Sequence, residues 1–81
     1  MTCEVCHKAQ AISLSHLRGQ WLLTCMCTAD TEDYYVEFTR YLKEGPEVWL
    51  RHLLGKQWFN QVDFLQAVFR ADLLPSKPIL H

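Results

Sequence analysis

Apolar positions are spaced in two different ways along the 81 residues. Over residues 1–29 they come in short runs. Ala9–Leu14 alternates weakly, His16–Gln20 contains Gly19 and suits a turn, and Trp21–Cys25 is an apolar run of strand length. These runs predict a β-hairpin. From residue 30 the spacing becomes helical. A first helix is expected to open at Asp30 or Thr31, with Glu32 and Asp33 facing the positive end of its dipole. Its stripe is Tyr34, Phe38, Tyr41 and Leu42, and Gly45-Pro46 ends it. A second runs from Pro46 to just before Gly55, burying Trp49, Leu50, Leu53 and Leu54. The third has Asn60 as its cap and Asp63 three residues on, with Phe59 and Phe64 spaced as a hydrophobic staple. Leu65, Val68, Phe69 and Leu73 continue its stripe.

The predicted fold is therefore a small α+β domain, an N-terminal hairpin packed on about three short α-helices. Eighty-one residues leave too little surface for a second core, so a single domain over 1–81 is expected. It divides into the hairpin unit 1–29, the helical part 30–74 and a Pro-containing tail, 75–81, expected to be extended or frayed.

Charge narrows the partners. The formal net charge is −1, unevenly spread. Between Asp30 and Glu47 six acids face only Arg40 and Lys43, whereas bases lead from Arg51 onward. Non-specific nucleic-acid binding needs a Lys/Arg excess to neutralise phosphates, and this chain lacks one. A membrane span is not expected, because the densest apolar run, Trp21–Cys27, falls well short of about 20 residues. The N-terminus, Met-Thr-Cys-Glu-Val-Cys, has neither the basic flank nor the apolar core of a secretory signal, so a reducing cytoplasm is the expected location.

That location governs how the four cysteines are read. In a secreted chain they would imply two disulfides, but cytoplasmic reductants keep such pairs open, and clustered thiols there more often hold metal. Cys3-x2-Cys6 is followed after eighteen residues by Cys25-x-Cys27, a separation within the range of four-thiolate zinc sites. A hairpin between the two pairs would bring them to the same end, as tetrahedral coordination requires. Through Cys3-Glu4-Val5-Cys6 and Cys25-Met26-Cys27, residues 1–27 resemble the zinc-ribbon and related zinc-knuckle families. The resemblance implies one structural zinc ion held by Cys3, Cys6, Cys25 and Cys27, and with it a zinc-stapled hairpin. Zinc ribbons usually carry a second Cys-x2-Cys and a Gly after the knuckle; here the second pair has one spacer, and His7 and Thr28 follow the knuckles. His7 or His16 is therefore kept as a substitute for one thiolate.

Other chemistries fit these residues less well. Cys3-x-x-Cys6-His7 matches the c-type haem attachment string, but that leaves Cys25 and Cys27 without a role. A redox thiol pair calls for a Cys at a helix N-terminus behind a strand, and no strand precedes Cys3. Four unliganded thiols in a small core would be the blandest case. No His-Glu-x-x-His, phosphate loop or Ser/His/Asp grouping is present, and Glu4 reads as a solvated knuckle side chain. A zinc hydrolase or redox enzyme is thus the least favoured class.

Ten aromatic side chains exceed what so short a chain easily buries. The surplus points to a partner surface, and the connector carrying Arg51, His52, Lys56 and Trp58 is the expected contact. The favoured function is a zinc-stabilised, non-enzymatic adaptor or regulator docking on a larger protein, with homodimerisation open. A nucleic-acid-binding zinc ribbon, using Lys8, Arg18, Arg51, Lys56 and Arg70, is the alternative.

Overall fold

Arg18 and Gly19, with φ of 53° and 82°, form a two-residue loop in the left-handed region and join β1 (Ser13–Leu17) to β2 (Gln20–Thr24). Such a loop matches the right-handed twist of its strands. Because two residues suffice, His16 and Leu17 extend β1 rather than widening the turn, and His16 pairs with Trp21. The computed structural model describes residues 1–73, so the tail expected over 75–81 lies outside the described residues.

A third strand, β3 (Tyr34–Glu37), pairs antiparallel with β1 and makes a sheet of order β2-β1-β3. This corrects the first helix. Residues 30–33 do not open it; α1 spans only Phe38–Glu44. Tyr-Tyr-Val suits a pleated, half-buried surface. Val36, 1% exposed, packs in the core opposite Leu14, while Tyr35 on the other face is open to solvent. The 34, 38, 41 spacing therefore joins the last inward strand positions to the first helical ones. Gly45, at φ 93°, ends α1, and Pro46 starts α2 (Pro46–Leu53). Trp49 and Leu53 are buried there, but Leu54 is exposed.

The α3 helix (Gln61–Arg70) begins as expected. Asn60 accepts the Asp63 N–H at 3.1 Å, and the Phe59 and Phe64 rings lie 5.4 Å apart. Its buried stripe differs from the expected one. Phe64, Ala67, Val68 and Ala71 face the core at helical spacing, whereas Phe69 is 71% exposed beside Val62. Two of these four buried positions are alanines.

The sheet packs its Leu14, Trp21, Leu23 and Val36 face on the helices. Trp21 is central, with Phe64 edge-on at 4.9 Å and Tyr34, Trp58 and Phe59 within 6.3 Å. The opposite face carries hydroxyls. Thr24 and Ser15 are 2.5 Å apart, and Ser15 and Thr28 donate to Glu32 Oε1 at 2.6 and 2.9 Å. Glu32, expected in a helical first turn, instead ties the 26–33 segment across the sheet.

The outer edge of β2 is closed by side chains and by the Glu4 N–H, which donates to the Leu23 carbonyl at 2.7 Å. Asp63 Oδ2 accepts the Trp21 N–H at 2.6 Å, Glu4 Oε1 accepts the Leu23 N–H at 3.0 Å, and Arg70 donates to the Trp21 carbonyl at 3.2 Å. Replacing Asp63 with Ala strands the Trp21 N–H, and urea unfolding is expected to show a loss of about 1–3 kcal/mol. An unchanged unfolding midpoint would show that this bond contributes nothing to the fold.

Candidate metal centre

The first knuckle is made by its backbone. Cys3 N–H donates to the Ala9 carbonyl at 2.8 Å, and Thr2 bridges to Gln10, so residues 3–9 close a tight loop. Within it the Val5 and Cys6 N–H groups each reach Cys3 Sγ at 3.4 Å. His7 adopts φ 60° and donates its N–H to the Cys3 carbonyl at 3.1 Å. His7 thus takes the left-handed position that a Gly often fills, a conformation His tolerates better than most residues.

The second half-site follows β2 directly. Cys25 caps the short 3₁₀ turn Met26–Thr28, its Sγ accepting the Cys27 N–H at 3.4 Å. One spacer residue is enough because this turn is tighter than a knuckle. The hairpin then brings the halves together. Cys3 Sγ lies 3.7 Å from Cys27 Sγ, Cys6 Sγ lies 3.6 Å from Cys25 Sγ, and all four sulfurs fall within 4.8 Å of one another. A tetrahedron with metal–sulfur bonds of about 2.3 Å has edges of about 3.8 Å. Two of the edges match that value, and the cluster is compact enough to bind one metal ion. No pair is at the roughly 2.0 Å of a disulfide, and all four thiols are free.

The electrostatics favour a cation. Burial pushes the Cys3 thiol up, but the N–H groups of Cys6 and Val5 more than offset this and bring it down to about 6. Cys6 is also lowered, chiefly by the Lys8 and Ala9 N–H groups. Cys27 is pushed up to about 12, first by its hydrogen bond with Cys25 and then by burial and its other sulfur neighbours. One thiolate is ready-made, and its neighbours oppose the last. A divalent ion removes that opposition.

Neither histidine joins the cluster. His16 is 4% exposed, hydrogen-bonds Asp33 at 2.9 Å and stacks on Trp58 at 4.1 Å. It sits next to the hairpin turn, at the far end of the strands from Cys25. The exposed His7 contributes its backbone, and its ring is not among the clustered ligand atoms. Glu4 departs from the solvated role expected of it. Arg70 donates to both of its oxygens, at 2.8 and 3.0 Å, and holds its carboxyl below the usual range against the opposing effect of burial. That link spans 66 residues, and no local pattern signals it.

The four connector residues are less free than expected. Arg51 and His52 are exposed on α2, but Lys56 Nζ lies 5.2 Å over the Tyr34 ring and Trp58 is spent partly on His16. No helix among the described residues is long and apolar enough to cross a membrane. Compared with family models, curated proteins and solved structures, the chain matches none.

Protons compete with the ion for these sulfurs. The folded state holds Cys3 below its ordinary 9.0, so its thiolate supports the fold above that value and the support is lost as pH falls through about 6. Acid titration of the metal-loaded protein, followed with a chromogenic chelator, is expected to release the ion as pH falls, at a pH below that at which the metal-free Cys3 thiol titrates, because the ion competes with protons for the sulfurs. Retention of the ion in strong acid would contradict a thiolate ligand set.

Proposed function

We propose that the chain is a small zinc-stabilised, non-catalytic module that acts by docking on a larger protein. The observation that carries the zinc assignment is the set of four sulfurs gathered within 4.8 Å of one another, with two of their separations near the edge of a zinc–thiolate tetrahedron. Tetrahedral four-sulfur sites select zinc or iron–sulfur centres. The compact spacing suits one ion rather than a bridged two-iron cluster, whose end ligands stand farther apart. Four thiolates also complete the sphere, leaving no position for a reacting water, which is the design of a structural site.

Docking is supported by the apolar and aromatic surface. Val62, Phe69 and Met26 are each about two-thirds or more exposed, and Tyr35 is half exposed. Arg51 and His52 add exposed polar groups on α2, and His52 shares a groove with Tyr35. The nucleic-acid alternative has less support, because Arg70 is bound to Glu4 and Lys56 lies over Tyr34, which takes two of its five bases away from phosphate. A cytoplasmic site of action agrees with thiols kept reduced for metal.

The test is metal analysis of protein purified without chelators, combined with an affinity capture from lysate of the source cell. One zinc per chain is expected, together with loss of helical circular dichroism on chelation. Zinc-free protein that stays folded would refute the structural role. Absence of any captured protein would refute docking.

A further inference from the structure

The two edges of the sheet are finished differently. On β2 the outward groups of Trp21 and Leu23 are met by Asp63, Arg70 and Glu4. Ladder alternation then fixes the other edge. With Trp21 and Leu23 turned outward, Ser13, Ser15 and Leu17 face β2, so Leu14 and His16 face β3 and pair with Val36 and Tyr34. The Phe38 N–H bond to the Ile12 carbonyl keeps the same phase. Tyr35 therefore turns its backbone groups, and Glu37 its N–H, away from β1, the Glu37 carbonyl being taken by α1, which it caps. Among the described residues no strand lies beyond them, and no hydrogen bond reaches either N–H.

A bare edge is a template for another strand. Beside this one runs a groove of about 470 Å³ whose lining includes Asp33, Tyr34, Tyr35, Trp49 and His52. Its lining carries the acids Asp33 and Glu44 against one base, Arg40, which Glu44 already holds at 3.0 Å, and the exposed Glu37 adds a further acid at the end of the edge strand. Cations settle on its rings: Arg40 lies 5.2 Å over Trp49, and Lys56 lies 5.2 Å over Tyr34. A second copy pairing edge to edge would set Asp33 and Glu37 against the same acids.

We infer that β3 and this groove take an extended, basic peptide segment of a partner protein as a fourth strand. Its backbone pairs with Tyr35 and with the Glu37 N–H, and its Lys or Arg side chains meet Asp33 and Glu37. The inference rests on the docking reading above and names its surface.

The test uses full-length, zinc-loaded protein and a synthetic peptide of alternating Lys and Val, about eight residues long. Amide resonances of Tyr35 and Glu37 shift and gain protection from hydrogen exchange on binding. A matching Glu–Val peptide leaves them unchanged. Tyr35→Pro, which removes an outward N–H, and Glu37→Lys, which reverses an exposed charge, each weaken the Lys–Val peptide about tenfold. No binding, equal binding of the acidic peptide, or shifts confined to α3 would overturn the proposal. So would a dimer in sedimentation whose Tyr35 and Glu37 amides are protected without peptide. A natural partner captured equally by native and Glu37→Lys protein would leave docking intact but remove β3 from it.

Discussion

Four sulfurs within 4.8 Å of one another, from cysteines at both ends of the hairpin unit, impose a condition that the rest of the fold has to meet. As thiolates they repel, and as thiols they make only weak hydrogen bonds. The backbone lowers Cys3 to about 6, while the same crowding lifts Cys27 to about 12. A cation at the centre satisfies both ends of that range. Each half-site is accordingly built from N–H groups pointed at sulfur, in a knuckle and then in a 3₁₀ turn.

The metal centre is joined to the helical core through the outer edge of β2. Glu4, between the first two ligands, accepts the Leu23 N–H and also binds Arg70 at the end of α3. Asp63, at the start of the same helix, accepts the Trp21 N–H. One helix thus clamps the strand at both of its ends, and the strand delivers Cys25 to the site. The clamp also removes one exposed sheet edge, which leaves β3 as the open one among the described residues.

Features with a local cause were legible in the sequence. The Asn60 cap, the Phe59–Phe64 staple, the Pro46 start and the hairpin all follow from neighbours within a few residues, and each is found in the structure. The spacing of the cysteines foretold their gathering. Features set by tertiary pairing were hidden. Tyr34–Glu37 has acids ahead of it and helical spacing beyond it, and only β1 makes it a strand. The Ala67 and Ala71 stripe was masked by the larger Phe69, and the Glu4–Arg70 link has no short-range signature. His16 looked like a spare ligand because sequence cannot show that Asp33 and Trp58 already engage it.

In this account the metal sets the position of the hairpin, and the helices and the β3 edge present the surfaces through which the protein acts. All of it depends on the ligand set. X-ray absorption at the zinc edge of protein purified without chelators reads that set directly. The account predicts a single shell of four sulfurs at about 2.3 Å. A shell of nitrogen or oxygen at about 2.0–2.1 Å in place of any sulfur would contradict it.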